Sequence, residues 1–365
     1  MRLPNKTTRS VTPYAVQVLA NSGIMMAIVY VPLLARQMHA SGSQIGLLVA
    51  VYQAAMFLSN TLFGRWADFG DRKRFVVFGL AASALALAGH VFARNLAGLF
   101  LARAVAGICV GMFPSALVAY FYEGSPRLGR FSGFGSLGWS FGAVAAGLAG
   151  LGWFFPLAGA LIAAAMVLAA AGLRRQHVRL AQPFFDVRVL KRNWKLYLSF
   201  YLRHTGAHSV WAIFPVYLSD LGASRFWVGA VFALNPFSQF VFMNLFERVR
   251  AGWLIRSGLL VSVLVFVAFG VAADFRQVIP IQILLALSWS CLYLGSLKRL
   301  MERNAERSTA AGMFQSMFNL AAVSGGLLTG ITGAFGYRAV MFVAAGLCAA
   351  ATLLFFVVPD DLQPA

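Results

Sequence analysis

Long apolar runs, separated by short charged segments, make up most of the chain. About 20 apolar residues are enough for a helix to cross the hydrocarbon core of a bilayer. Twelve runs meet that length, at about 11–35, 46–67, 75–93, 96–122, 131–152, 154–173, 196–219, 226–246, 253–273, 278–298, 309–332 and 337–358. The pattern predicts an all-α membrane protein with twelve transmembrane helices. The run that begins near Val11 is interpreted as a retained helix and not as a cleaved signal peptide.

Composition supports a membrane protein and excludes a soluble one. Hydrophobic residues make up 60% of the chain and charged residues only 11%, whereas about 25% of the residues of a soluble protein are charged. The three cysteines lie inside apolar runs, so we expect free thiols without a disulfide or metal role. They are Cys109, Cys291 and Cys348.

The basic residues distinguish the two sides of the membrane. Most of the 30 Lys and Arg residues fall in the loops on the side of the two termini. Short loops rich in Lys and Arg stay in the cytoplasm, so we predict an integral protein of the cytoplasmic (plasma) membrane with both termini cytoplasmic. The net charge of +19 then reports topology and contact with anionic membrane lipids. Nucleic-acid binding is not expected.

The two halves of the chain contain weakly matching positions at nearly constant offsets, as expected for an internal duplication. The matched pairs include Gly23 with Gly206, Pro32 with Pro215, Arg103 with Gln282, Glu123 with Glu302 and Gly147 with Gly326. The pattern predicts two pseudo-symmetric six-helix bundles, at 1–173 and 196–365. The basic segment 174–195 would join them, either along the inner membrane surface or as a plain linker.

The stretch GRWADFGDRKRF, Gly64 to Phe75, places six charged residues between two uncharged runs. It resembles the motif that follows the second span in the major facilitator superfamily, G-x-x-x-D-(R/K)-x-G-(R/K)-(R/K). The matching positions are Gly64, Asp68, Arg72 and Lys73. Phe69 replaces the first basic residue of the motif, and Asp71 stands where a glycine is expected, with Gly70 one place early. The resemblance covers essentially the whole chain and implies the fold of that superfamily.

In that family the motif latches the cytoplasmic ends of the two halves. The resemblance implies that Asp68 caps the eleventh span near Ser308 and Thr309, and that Glu247 is its counterpart at the fifth span. Arg103 begins a second, R-x-x-x-G match in the fourth span. The residues assigned to gating are Gly64, Asp68, Arg72, Lys73, Arg103, Glu123, Arg127, Glu247, Arg248 and Glu302. The alternative is a set of solvated loop charges.

Polar residues within spans are costly there and often functional. In the family the first, fourth, seventh and tenth spans line a central cavity, and the polar faces of this chain fall mainly on those spans. The residues assigned to solute binding are Gln17, Asn21, Gln53, His204, His208, Trp211, Asn235, Gln239, Trp289, Tyr293, Gln315 and Asn319. The alternative for each is a hydrogen bond between helices.

No Asp or Glu falls in the middle of a predicted span. If transport is coupled to protons, His204 and His208 are the best candidates, because the unperturbed pKa of histidine is near 6.5. The two could share a proton or bind an anionic group together with Arg203. Transport without coupling is the alternative.

The sequence therefore predicts a secondary active or facilitative transporter that moves a small polar or anionic organic solute by rocker-switch alternating access. A multidrug efflux antiporter is an alternative, although the glycine-rich fifth span has Ala143 where exporters of the family carry a proline. A transporter-like receptor or a lipid scramblase is the alternative from another class. An enzyme is not expected, since the in-span histidines lack a nucleophile. We expect no cofactor and a monomer.

Overall fold

The computed structural model describes residues 11–29, 31–40, 42–125, 127–149, 153–179 and 187–358. These residues form helices, short turns and one isolated antiparallel bridge between Asp71 and His177. The helices of the described part are α1 (Thr12–Val29), α2 (Val31–Gln37), α3 (Gly42–Trp66), α4 (Arg72–Ala88), α5 (Leu96–Gly111), α6 (Pro114–Gly124), α7 (Leu128–Ala149), α8 (Phe154–Gly172), α9 (Arg188–Asp220), α10 (Arg225–Leu245), α11 (Ala251–Val271), α12 (Phe275–Arg303), α13 (Arg307–Thr332) and α14 (Tyr337–Val357).

Nine stretches of helix in this described part are long and apolar enough to cross a membrane. The all-α membrane class is therefore confirmed, whereas the number of twelve spans stays a prediction. α9 is not among the nine, although it has 33 residues. α9 contains Arg203, His204 and His208. Such polar side chains lower the mean hydropathy by which a membrane-spanning helix is identified.

Proline explains one difference from the predicted spans. The run 96–122 forms two helices, because α5 ends at Gly111 and α6 begins at Pro114. A proline inside a helix lacks the N–H for the ladder and its ring clashes with the carbonyl four residues earlier, so the helix kinks or breaks. At the first position of a new helix the same residue is well accommodated.

The segment between the halves contains more helix than predicted. We expected a linker over 174–195, but α9 begins at Arg188 and includes the last part of it. Residues 174–176 have no regular secondary structure, and His177 forms the bridge to Asp71. Residues 180–186 lie outside the described part. The prediction of an in-plane surface helix stays untested.

The chain divides into two compact units, Met1–Phe185 with Ala305–Met313, and Asp186–Asn304 with Phe314–Ala365. In the first unit α1 packs along α7 and α8, α3 along α5, and α4 along α8. Small residues bring α1 and α7 close together. A Cβ added to Gly138 would lie 2.5 Å from the carbonyl oxygen of Val18, and Ser22 Oγ donates to the Gly138 carbonyl at 2.9 Å.

In the second unit α11 packs against both α12 and α14, and α9 packs against α14. The apolar core there includes the buried side chains of Phe214, Phe266 and Phe269. One charged side chain, Arg203, is enclosed in this unit with 1% of its surface exposed. A charge in such a position needs hydrogen-bond partners, since burial without them is strongly unfavourable. The predicted division at 174–195 stays a prediction.

Candidate functional site

A buried carboxylate lies just beyond the end of α3. Asp68 has no exposed surface. Its Oδ1 accepts a hydrogen bond from the backbone N–H of Ser308 at 3.1 Å, and its Oδ2 accepts from the backbone N–H of Thr309 at 2.7 Å and from the Thr309 hydroxyl at 2.8 Å. The first N–H groups of a helix have no partner within it, and the positive end of the helix dipole favours an anion. Asp68 therefore caps α13.

Arg72 joins this cap to a second carboxylate. Its guanidinium, which is fully buried, donates from Nη2 to Asp68 Oδ1 at 2.9 Å, from Nε to the Ser308 hydroxyl at 2.9 Å and from Nη1 to Glu123 Oε1 at 2.5 Å. Glu123 also accepts from Arg307 Nη1 at 3.2 Å. Two acids and two arginines, Asp68, Arg72, Glu123 and Arg307, thus form one network in the first unit, which we call the charge cluster.

Two glycines allow the backbones beside the charge cluster to meet. A Cβ added to Gly64 of α3 would lie 2.8 Å from the Ser308 carbonyl oxygen and 3.0 Å from the Gly312 Cα. A Cβ on Gly312 would lie 3.1 Å from the Gly64 Cα and closer still to the Asn60 carbonyl oxygen. Any larger side chain at either position must push the start of α13 away from α3. Gly64 therefore allows α3 and the start of α13 to pack closely. The motif alone does not indicate this role.

Two further residues predicted for gating lie beside the charge cluster without joining it. Lys73 donates from Nζ to the Ala170 carbonyl at 2.7 Å, near the end of α8. Arg127 precedes α7, where its carbonyl accepts from Phe131 N–H at 3.2 Å. The structure shows no ion pair between Arg127 and a described residue of the charge cluster. Their gating role stays a prediction.

The remaining gating residues of the second half belong to the second unit. Glu247 and Arg248 form a short 3₁₀ turn after α10, and Glu302 lies in the last turn of α12. The ammonium group of Lys298 donates to the carbonyls of Glu247 and Val249, the latter at 3.1 Å. A lysine thus satisfies carbonyl groups at this turn, which differs from the arginine and carboxylate arrangement around Asp68. The predicted cap by Glu247 stays untested.

Arg103, which the sequence analysis assigned to gating, contacts an aromatic ring. It is 2% exposed, and its Cζ lies 3.7 Å from the centroid of the Tyr52 ring, so the guanidinium stacks on the aromatic face. Its Nε and Nη1 have no hydrogen-bond partner among the described residues. Arg103 is therefore not part of the charge cluster. Tyr52, which sequence analysis overlooked, is its main neighbour.

Seven aromatic side chains of the second unit form a contiguous group, with ring centroids of neighbours 4.2–5.9 Å apart. We call this group the aromatic cluster: Phe200, His204, His208, Trp289, Tyr293, Phe314 and Phe318. Its rear is buried, at Phe200, His204 and Phe314, whereas the other four rings are partly exposed. The cluster thus presents a row of ring surfaces that a bound molecule could contact.

Arg203 determines which ring nitrogen of His204 carries the proton. Its Nε donates to Ser262 Oγ at 2.9 Å and its Nη2 to Ser288 Oγ at 3.1 Å, while Nη1 lies 3.3 Å from His204 Nδ1. Arginine has donors only, so Nδ1 must act as the acceptor and the proton of neutral His204 lies on Nε2. Arg203 is therefore engaged on three sides. The predicted binding of an anionic group by this arginine together with the two histidines would require it to release His204.

His208 is the residue of the aromatic cluster that could pair with a bound molecule. Its ring stands edge-on to His204, with centroids 4.9 Å apart, and edge-on to Phe318, with centroids 5.1 Å apart. Its Nε2 is buried and has no hydrogen-bond partner among the described residues. Burying such a nitrogen unpaired is unfavourable, and pairing with a bound molecule would remove that penalty.

The amides of the second unit mostly satisfy one another. Asn235 Nδ2 donates to Gln282 Oε1 at 3.0 Å, and Gln239 Nε2 donates to Asn235 Oδ1 at 2.6 Å. Gln315 Nε2 donates to the Tyr293 hydroxyl at 3.1 Å. The bond from Asn235 to Gln282 joins α10 to α12 and fits the alternative of a hydrogen bond between helices, whereas the bond from Gln239 to Asn235 lies within α10. Asn319 differs, because its buried Nδ2 has no partner among the described residues.

The amides of the first unit show a contact that sequence analysis missed. Asn21 Nδ2 donates to the Gln17 carbonyl at 2.8 Å, and Trp139 Nε1 donates to Asn21 Oδ1 at 2.8 Å. Trp139 lies in the glycine-rich α7, where its spacing gave no indication of a partner. Gln17, Asn21 and Gln53 are all half-buried. Their assignment to solute binding stays a prediction.

Trp211 does not join the aromatic cluster. Its ring packs against Phe214 and Phe232, with centroids 5.2 and 5.0 Å apart. The spacing from His208 to Trp211 places both on one side of a helix, but the neighbours of a ring also depend on the helices around it. Trp211 is therefore better explained as a half-buried extension of the apolar core. In the described part of the chain no group of three His, Cys, Asp or Glu residues is placed to hold a metal ion.

Helices that are long and apolar enough to cross a membrane, with polar and aromatic side chains between them, are typical of integral membrane transport proteins. A family model described as the Major Facilitator Superfamily matches residues 14–297. The chain therefore belongs to the Major Facilitator Superfamily, which agrees with the resemblance of the Gly64 motif.

Comparisons with individual proteins include one solved structure and two curated proteins. The crystal structure of the human organic anion transporter MFSD10 (TETRAN) superposes with a TM-score of 0.81 and 16% identity, covering 94% of this chain and 98% of that one. Multidrug resistance protein 2 of Bacillus subtilis (strain 168) is 31% identical over 153 residues, which is 39% of this chain and 38% of that protein. Multidrug resistance protein 1 of the same organism is 26% identical over 102 residues, 28% of this chain and 26% of that protein.

Because the sequence identity to that structure is low, the structural likeness is evidence for the fold alone. The sequence matches span well under half the length of the two curated relatives. What those proteins transport is therefore a basis for a proposal and not a property of this chain.

Proposed function

We propose that the protein is a secondary transporter that exports hydrophobic, ring-bearing organic compounds by alternating access. The observation that carries this proposal is the aromatic cluster, whose front is formed by His208, Trp289, Tyr293 and Phe318. Sequence analysis placed efflux of hydrophobic compounds second to transport of a small polar or anionic solute. The cluster and the multidrug resistance relatives favour the efflux function.

The chemistry of the aromatic cluster supports a ring-bearing solute. Each well-placed aromatic pair contributes about 0.5–1.5 kcal/mol beyond the burial of its area, and a cationic ring compound gains a further attraction from aromatic faces. The nearest arginine, Arg203, donates to two serines and to His204. A small anion would therefore find no unengaged guanidinium in this cluster. His208 Nε2 supplies one polar contact with which to orient the solute.

The charge cluster is the inner gate in this proposal. Through these four side chains, the end of α3 and the start of α4 contact the end of α6 and the start of α13. We propose that this face is cytoplasmic. The bonds that join Asp68, Arg72 and the start of α13 are buried and directional, so they favour one arrangement of these elements. Loss of them would release the start of α13 and let the two six-helix halves of the proposed fold rock apart at that face.

Proton coupling is assigned to His208 rather than to both histidines. His204 cannot add a proton at Nδ1 while Arg203 donates there, whereas His208 Nε2 has no partner among the described residues. Antiport would follow if a proton and the solute compete for that nitrogen. Replacing His208 by Gln should then reduce the dependence of export on the pH gradient. His90 to Gln is the matched control, because His90 Nε2 is also buried without a described partner but the ring packs on Phe155.

Inside-out membrane vesicles test the proposal. With an imposed pH gradient, vesicles that contain the protein should accumulate ethidium, an aromatic cation, and the variant Trp289 to Ala should raise the KM for ethidium about two- to tenfold, the factor that corresponds to one aromatic contact. Trp253 to Ala is the control, since Trp253 is 72% exposed on α11. Failure of the vesicles to accumulate ethidium or similar dyes, or equal KM values in both variants, would contradict the proposal.

Transport of a polar or anionic organic solute is the second candidate function, and Arg103 is the observation that favours it. Two of its nitrogens have no described partner although the side chain is buried, and a carboxylate is a suitable acceptor for such a group. Thermal stabilisation of the purified protein by benzoate, lost in Arg103 to Gln, would support this function. Stabilisation without flux in vesicles would instead indicate a receptor.

A further inference from the structure

The segment after α8 runs back to the beginning of α4. Arg72 N–H donates to the Gln176 carbonyl at 3.1 Å, and Val178 N–H donates to the Gly70 carbonyl at 3.0 Å. These two bonds make the antiparallel bridge between Asp71 and His177. We call residues 174–178 the strap.

One carboxylate oxygen connects the strap to α4. Asp71 is 4% exposed, and its Oδ1 accepts from the backbone N–H of Lys73 at 3.1 Å and from the backbone N–H of Gln176 at 3.0 Å. The first bond is an N-cap of α4. The second holds the strap to that cap. A glycine, which the superfamily motif has at this position, has no side chain to make either bond.

The strap lies against the residue that organises the charge cluster. Arg72 is the first residue of α4, its backbone N–H is bonded to the strap, and its Nη1 lies 3.4 Å from the Gln176 side-chain oxygen. The other donors of Arg72 reach Asp68, Ser308 and Glu123. The backbone position of Arg72, from which its guanidinium reaches the charge cluster, therefore depends on this short bridge.

We propose that Asp71 is a positioning residue for the gate: it fixes the strap to the first turn of α4 and thereby holds Arg72 in the charge cluster. The strap also begins the segment that connects the two halves in the sequence. The inference rests on the proposed gate and adds a residue to it that the superfamily motif does not contain.

Hydrogen–deuterium exchange of the full-length protein in lipid nanodiscs tests the inference. In Asp71 to Gly, exchange should rise about tenfold in the peptide that contains residues 174–178 and also in the peptide that contains residues 305–313, because Arg72 is no longer held against Ser308. Asp71 to Asn keeps an acceptor oxygen for Lys73 and Gln176, so it should restore near wild-type exchange at both places. A purely local role would leave 305–313 unchanged.

A second pair of variants leaves Asp71 in place. Gln176 to Pro removes the N–H that Asp71 binds and should repeat the effect of Asp71 to Gly at both peptides. Gln176 to Ala keeps that N–H and should stay close to wild type. The inference is overturned if Asp71 to Gly leaves 174–178 protected, or if 174–178 opens while 305–313 keeps its wild-type exchange. Failure of the gate itself is seen separately, as unchanged exchange at 305–313 in Asp68 to Asn.

Discussion

Replacement of Asp68 by Asn tests the gate most directly, because the substitution keeps the shape of the side chain. The carboxylate accepts four hydrogen bonds, two at each oxygen, from Arg72, Ser308 and Thr309. An asparagine must place an NH₂ group on one of the two sides. If that group replaces Oδ2, the Thr309 N–H, which bonds Oδ2 at 2.7 Å, meets a second donor and loses its partner.

The size of the effect follows from these contacts. A buried N–H left without an acceptor costs about 1–3 kcal/mol, and hydrogen bonds to a charged group, worth about 1.5–3 kcal/mol, fall to about 0.5–1.5 kcal/mol when the charge is removed. Arg72 also loses its buried counter-ion. Allowing for relaxation and for the Thr309 hydroxyl, which can reverse its bond, we expect a loss of about 3 kcal/mol. That corresponds to about a 100-fold change in the opening equilibrium.

Hydrogen–deuterium exchange measures this equilibrium at the amides concerned. Exchange of the peptide that covers residues 305–313 should rise about 100-fold in Asp68 to Asn, since local opening controls the exchange of protected amides. Asp274 to Asn is the control, because Asp274 caps its own helix by accepting from Arg276 N–H at 2.7 Å. Exchange at 305–313 within threefold of wild type in Asp68 to Asn would refute the reasoning.

Three further outcomes are expected. Glu123 to Gln should raise exchange at 305–313 by less than tenfold, because Glu123 is 28% exposed and solvent screens its ion pairs; an effect as large as that of Asp68 to Asn would contradict the order of burial. Gly312 to Ala should destabilise the protein by about 1–3 kcal/mol and so lower the midpoint of thermal unfolding in detergent, since the new methyl group overlaps the backbone of α3. Gly346 has open space around it, so Gly346 to Ala should leave the midpoint unchanged. Arg203 to Met should destabilise the protein by about 1–3 kcal/mol, because two serine hydroxyls and a histidine nitrogen lose a buried donor; an unchanged midpoint would show that the guanidinium network contributes nothing to stability.

The sequence predicted those features that depend on residues close together in the chain. Apolar run lengths predicted most helices, and the Gly64 motif indicated which acid would face the start of α13. The break before Pro114 follows from proline chemistry, although the length of the apolar run concealed it. α9 begins at Arg188, before the predicted span that starts at residue 196. The sequence did not indicate this start, because residues 188–195 are basic and a basic stretch is compatible with either a linker or a helix.

Features that depend on how helices are rotated against one another were not predictable from spacing. Trp211 and His208 share a helix side, yet only His208 joins the aromatic cluster, because the partner rings come from α12 and α13. Likewise, the pairing of Asn235 with Gln282 depends on the positions of two helices that are far apart in the sequence. The spacing of residues along one helix contains no information on their partners in other helices. The stacking of Arg103 on Tyr52 was missed for the same reason.

The charge cluster has a consequence for the response of the protein to membrane potential. Moving one elementary charge through a potential of 100 mV changes the free energy by about 2.3 kcal/mol. The two acids and two arginines of the cluster sum to zero, so rearranging them together moves no net charge through the field. If Arg307 moves with α13 away from Asp68, Arg72 and Glu123, whose charges sum to −1, opening of the proposed gate carries charge along the field and depends on the membrane potential.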